Sequence, residues 1–167
     1  IGNIAGKSLL DYGCGSGALY EYLASAQKRP SQYIGCDIVA EFFDYARQKV
    51  PTGLFLSPQQ LVDRRFDYAI ISGVFNNLVA DNNAFWKGTI RALFKQCDMG
   101  LAFNMLSTYV DYQADDLFYI DPSEVMSFVK REITPYITLR NDYLVKENSI
   151  PFEFTVYLYK KPINLVY

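Results

Sequence analysis

The residues best suited to chemistry stand in the stretch LLDYGCGSGALYEYL, positions 9–23, where an apolar run ends in Asp11 and glycines follow at 13, 15 and 17. Glycine at a strand-to-helix turn permits positive φ and lets a ligand touch the backbone. The first turn of the helix adds N–H groups that have no partner inside the helix. Asp37 closes the next apolar run, twenty residues after Gly17, and a carboxylate there accepts hydrogen bonds from both hydroxyls of a ribose. The pattern predicts a nucleoside-bearing small molecule seated where strand becomes helix. Two classes satisfy it, because Gly13-x-Gly15-x-x-Ala18 also meets the dinucleotide fingerprint. Asp11 favours one of them: it would repel a diphosphate over the turn and attract a ligand carrying an ammonium and a sulfonium.

A second group of candidates lies further on. Asn76 follows the fourth apolar run, and Asn104, Tyr109 and Asp111 follow the fifth. In an open α/β sheet a second substrate sits beyond the carboxyl ends of the strands, so these four are expected to line its pocket. As structural residues, Asn76 and Asn77 would simply cap a turn, and Asp111, Asp115 and Asp116 would be a solvated loop. The chain has no histidine, which removes catalytic triads and histidine acid–base schemes. A general base, where one is needed, would be a carboxylate or a tyrosinate.

The elements that must hold these residues alternate. Ser8–Tyr12, Tyr33–Asp37, Leu54–Leu56, Phe66–Ser72 and Gly100–Asn104 read as strands. Leu19, Tyr22, Leu23 and Ala26 recur at helical spacing, as do Val39, Phe42, Phe43 and Ala46, and Trp86, Ile90, Leu93 and Phe94 mark a third helix. Trp86 with Phe85 reads as helix packing. Asp121-Pro122-Ser123-Glu124 is a helix start with an N-cap aspartate and proline at the first position. Tyr136–Arg140 and Glu153–Lys160 follow, and in the latter Phe154, Val156 and Leu158 alternate with Thr155, Tyr157 and Tyr159, as in an antiparallel strand with two unlike faces. The expected fold is α/β: a doubly wound, mostly parallel seven-stranded sheet with an antiparallel last strand and helices on both faces. Residues 1–167 are expected to form a single domain.

Bulk properties narrow the partners. The 167 residues are 50% hydrophobic and 16% aromatic, as a packed globule requires. A net charge of −2 offers no basic footprint for nucleic acid, and no apolar run approaches the ~20 residues of a membrane helix. Cys14, Cys36 and Cys97 are odd in number and widely spaced. They suit neither a disulfide framework nor a metal site, read as buried apolar residues, and suggest the cytoplasm.

With Asp11-x-Gly13-x-Gly15-x-Gly17, Asp37 and the fourth-strand segment Phe66–Gly73 in this order, and a reversed last strand, the chain resembles the class I S-adenosylmethionine-dependent methyltransferases from Lys7 to Lys160. The resemblance implies S-adenosylmethionine as cofactor. Its methionine part would lie over Gly13, Cys14, Gly15 and Gly17 with Asp11 nearby, and its ribose on Asp37 beside Ile38. Ser72 and Gly73 complete the set. The acidic residue that commonly meets the adenine amino group after the third strand is absent, leaving Ser57, Gln59 and Gln60 as substitutes. The Asn/Asp-Pro-Pro-Tyr/Phe motif of nucleic-acid amino-methylating enzymes is also absent, Ser72-Gly73-Val74-Phe75-Asn76-Asn77 standing there instead. Only residues 1–7 precede the first strand, so the N-terminal lid helices usual in the family are expected to be missing in part. The implied activity is methyl transfer to a small polar metabolite or a sugar- or lipid-linked acceptor, on oxygen or nitrogen, with no nucleic-acid or membrane partner and no metal. A non-catalytic cofactor-binding subunit and a nicotinamide-dependent oxidoreductase are the alternatives.

Overall fold

The computed structural model describes residues 1–163. Its strands are β1 (Ser8–Tyr12), β2 (Gln32–Cys36), β3 (Leu54–Leu56), β4 (Phe66–Ile71), β5 (Cys97–Ser107), β6 (Tyr119–Ile120), β7 (Ile137–Arg140) and β8 (Glu153–Tyr159). The helices are α1 (Ala18–Ser25), α2 (Phe42–Lys49), α3 (Asn82–Gln96) and α4 (Pro122–Glu132). The sheet runs β3-β2-β1-β4-β5-β8-β7, and the two-residue β6 pairs with β5 off this path. All pairings are parallel except those of β8, which is antiparallel to both β5 and β7. The expected seven strands and reversed last strand are therefore present, and β6 is additional. From β1 the chain steps outward through β2 and β3, then returns to the other side of β1 as β4. The carboxyl ends of β1 and β4 thus flank the switch point at which such sheets bind ligands.

Strand alternation sorts the core into two faces. Leu10, Ile34, Ala69, Ile71, Leu101, Phe103, Phe154, Val156 and Leu158 pack against α3 and α4. Leu9, Tyr33, Phe55 and Tyr68 pack against Leu23 of α1 and Phe43 and Ala46 of α2. Trp86 has no exposure, and its ring meets that of Phe128 edge-on at 4.7 Å, joining α3 to α4. The expected cap of α4 forms, with the Asp121 side chain accepting from Ser123 N at 2.7 Å.

Three expectations need correction. Tyr22 is 65% exposed and Phe42 40% exposed, so the buried stripes of α1 and α2 shrink to Leu23 and to Phe43 with Ala46. Helices of eight residues make little more than two turns, and α1 adds to Leu23 only the partly buried Leu19 and Tyr20, the latter edge-on to Tyr33 at 5.2 Å. The fifth strand is not Gly100–Asn104 but Cys97–Ser107, starting where α3 ends, because β4 on one side and β8 on the other extend its ladder.

Candidate functional site

The turn after β1 is tied to the end of β2: Gly13 N and Cys14 N donate to the Cys36 carbonyl at 2.7 and 3.0 Å. Its glycines serve different ends. A β-carbon on Gly13 would overlap Val74 Cγ2, so packing alone demands glycine there. Gly15, at φ +48, faces open space, with nothing within 4 Å of where a β-carbon would stand. Gly17 is the N-cap of α1 and brings no side chain to its first-turn N–H groups. Gly73, at the end of β4, is likewise open.

Asp37 is half-buried beside this opening. Its Oδ2 accepts from Gly15 N at 2.9 Å and its Oδ1 from Val39 N at 3.0 Å. Both oxygens keep unused lone pairs, since a carboxylate offers about four acceptor sites. Ile38, next in the chain, is 85% exposed, an apolar platform at the lip of the opening. Asp11 lies behind the turn rather than on its surface: it is 3% exposed and accepts the Tyr33 hydroxyl proton at 2.5 Å. Burial pushes its carboxyl up from 3.8 to about 6, against the Tyr33 bond and helped by the charge of Asp37. Burial also raises the Tyr33 hydroxyl and pushes the thiols of Cys14, Cys36 and Cys97 up to about 12. These cysteines are packing residues, and Cys14 offers the opening its backbone only.

After β3, Gln60 is occupied locally, its Oε1 accepting from Ser57 N at 2.9 Å and from Ser57 Oγ at 3.3 Å. Gln59 is exposed. A cleft of about 450 Å³ opens beside this turn, between Tyr12, Pro58, Leu61, Thr89 and Leu93.

The candidates beyond β4 and β5 do not share one pocket. Asn104 Oδ1 accepts from Gly73 N at 2.7 Å, and its Nδ2 donates to Glu153 Oε2 at 2.7 Å. Tyr143 Oη donates to Glu153 Oε1 at 3.0 Å and lies 2.6 Å from Thr155 Oγ1. Ser72, Asn104, Tyr143, Glu153 and Thr155 line a hollow of about 170 Å³. Asp111 instead lines a wider cleft of about 580 Å³ whose walls include Leu106, Tyr112, Leu117 and Phe152. Leu106 pairs with Glu153 across the β5–β8 ladder, so the two hollows adjoin. Tyr109 is 69% exposed and reaches Asp121 only at 3.5 Å. Asn76 gives its carbonyl to Phe118 N, while its Oδ1 is buried without a partner among the described residues. Sequence reasoning missed Glu153, Tyr143 and Thr155. One signal was present: Glu153 and Thr155 are polar residues on the non-core face of an alternating strand.

The open backbone at Gly15, the acceptor oxygens of Asp37 and the bare apolar surface of Ile38 fit an adenosyl group with an amino-acid tail. The profile of a family described as a methyltransferase domain matches residues 10–97. A Mycobacterium tuberculosis protein named as a methyltransferase is 31% identical over 152 residues, covering 86% of this chain and 90% of its own. Among solved structures, an S-adenosylmethionine-dependent methyltransferase from Listeria monocytogenes superposes with a TM-score of 0.69 at 9% identity, over 96% of this chain and 94% of that one. The plantazolicin methyltransferase, solved with S-adenosylhomocysteine, superposes with a TM-score of 0.71 at 15% identity, over 92% of this chain and 76% of that one. At these identities the structures establish a shared fold and leave the acceptor open. Among the described residues no helix is long and apolar enough to cross a membrane.

Proposed function

Because this chain belongs to the class I S-adenosylmethionine-dependent methyltransferases, we propose that it methylates an oxygen or nitrogen of a small polar metabolite or of a sugar- or lipid-linked intermediate. The bound cofactor supplies a methyl group already activated by a sulfonium. The observation that carries the donor site is the open cradle at Gly15 beside the Asp37 carboxylate, at the switch point of the sheet. There Gly13 to Gly17 would take the methionine part with backbone alone, Asp37 the ribose, and Ile38 one face of the adenine. Ser57 and Gln59 would border the far edge, and Ser72 and Gly73 the methyl side. Asp11 supplies negative charge from beneath the turn, which suits a cation and opposes a diphosphate.

The chain's main task is alignment: holding the nucleophile in line with the methyl carbon, in a site closed to water, is worth several kcal/mol. The acceptor class is read from two adjoining hollows near the carboxyl ends of β4 and β5, one lined by Ser72, Asn104, Tyr143, Glu153 and Thr155, the other by Asp111 and Tyr112 with the apolar Leu106, Leu117 and Phe152. A net charge of −2 gives no support for a polyphosphate backbone.

The test has two parts. Calorimetry should show binding of S-adenosylmethionine and S-adenosylhomocysteine and none of NAD; micromolar NAD binding without a response to S-adenosylhomocysteine would overturn the donor site. A radiolabelled methyl-transfer screen over metabolite, lipid, nucleic-acid and protein pools should label metabolites or lipids. Label mainly in RNA, DNA or protein would refute the acceptor class, and no label despite tight donor binding would make the chain a binding subunit.

A further inference from the structure

We propose that Glu153 is the general base of the methyl transfer, aimed by Asn104 and Tyr143, and that the acceptor therefore presents a hydroxyl or ammonium group that must lose a proton. This rests on the donor site proposed above. With no histidine in the chain, the base must come from a carboxylate or a phenol. Tyr143 is a donor, not a base: burial is the main cause pushing its hydroxyl up to about 12, and that hydroxyl gives its hydrogen to Glu153 or Thr155. Asp11 is sealed behind the glycine turn, and Asp111 stands exposed on a loop with no hydrogen bond to aim it among the described residues.

Near the carboxyl ends of β4 and β5, Glu153 combines access with orientation. One oxygen is held by Asn104 Nδ2 at 2.7 Å and the other by the Tyr143 hydroxyl at 3.0 Å. Two acceptor sites remain, since a carboxylate offers about four. The same Asn104 is anchored to Gly73 N at 2.7 Å, at the end of β4, which pairs directly with the strand that carries the glycine turn. The carboxylate is thus tied to the donor cleft through a single side chain. It lines a hollow of about 170 Å³, room for the reacting end of an acceptor. The adjoining cleft of about 580 Å³ beside Leu106, Tyr112 and Phe152 is sized for the rest of the molecule.

In the reaction the acceptor's lone pair forms the new carbon–oxygen or carbon–nitrogen bond. The carbon–sulfur bond breaks with its electron pair going to sulfur, leaving a neutral thioether. The acceptor proton passes to Glu153 and from there to water. No further reactant is required.

The probe needs no knowledge of the acceptor. Sinefungin, an S-adenosylmethionine analogue with a primary ammonium where the methylsulfonium stands, should feel the Glu153 charge, while S-adenosylhomocysteine should not. In Glu153→Gln the affinity for S-adenosylhomocysteine should hold, and the preference for sinefungin over it should fall about tenfold, the scale of one charge-assisted hydrogen bond. Tyr143→Phe, which removes one aiming bond and leaves the charge, should lower that preference about threefold and serves if the first variant fails to fold. Turnover of whichever pool the methyl screen labels should fall by roughly 10²–10⁴-fold in Glu153→Gln. An unchanged sinefungin preference in both variants, or unchanged turnover in Glu153→Gln, overturns the assignment of Glu153 while the donor site stands. Failure of the wild-type chain to bind S-adenosylhomocysteine overturns the donor site, and this proposal with it.

Discussion

Asp11→Asn isolates the cost of keeping a carboxyl beneath the glycine turn. In the folded chain this group sits at about 6 against its ordinary 3.8, mainly through burial, with the Tyr33 bond pulling the other way. A carboxyl raised in this way binds a proton in the folded state that the unfolded chain has released, so stability falls as pH rises from 3.8 to about 6 and stays reduced above it. A shift of about two units at 1.36 kcal/mol each gives roughly 3 kcal/mol. Asparagine keeps an acceptor for the Tyr33 hydroxyl and does not titrate. It also buries an amide N–H at a cost of about 1–3 kcal/mol, but that cost is the same at every pH. The quantity to measure is therefore the variant's unfolding free energy minus the wild type's, by urea titration at about pH 4 and about pH 7. It should grow by about 2.4 kcal/mol between the two, somewhat less than the full shift because at pH 4 the unfolded carboxyl is already more than half ionised, or by about 5–10 °C in melting temperature for a chain of this size. A difference that is the same at both pH values would refute the burial account. With Asp11 ionised beneath the cleft, wild-type affinity for S-adenosylmethionine should rise across the same window, and the variant's should not.

Two further outcomes follow from the hydrogen bonds and packing of the turn. Asp37→Ala should weaken S-adenosylhomocysteine binding at least about tenfold by calorimetry, from the loss of charge-assisted bonds worth roughly 1.5–3 kcal/mol each. It should also lower the melting temperature of the free protein, because Gly15 N and Val39 N lose their acceptor; unchanged affinity would place the ribose elsewhere. Gly15→Val should remove binding while a folded, less stable protein persists, whereas Gly13→Val should fail to yield folded protein, since only the latter side chain collides with Val74. Circular dichroism with ligand titration separates the two, and a Gly15→Val chain that binds normally would refute the cradle.

Much of this molecule is written locally. Gly13, Gly15 and Gly17 announce a strand-to-helix turn because positive φ is a property of single residues. Phe154, Val156 and Leu158 announce β8 because a strand's faces repeat every second residue. Trp86, Ile90, Leu93 and Phe94 announce α3 in the same way, its 15 residues being long enough to keep one face on the sheet. The eight-residue helices α1 and α2 were legible as helices but not in their burial, since so short a segment does not dictate which of its apolar side chains the sheet will cover. The resemblance to the family, and the donor it implies, was thus legible in motifs that Asp11 and Asp37 help to form. What those residues touch was not. That Gly13 is filled by Val74 while Gly15 stands open, and that Asp11 is sealed by Tyr33, depends on contacts between segments distant in the chain. The chain of bonds from Gly73 through Asn104 to Glu153 and Tyr143 spans 31, 49 and 10 residues at its successive steps. Periodicity tells which face of a strand a side chain takes; only strand order and register decide which side chains from other strands share that face, and that register is what brings Asn104 of β5 to Glu153 and Thr155 of β8.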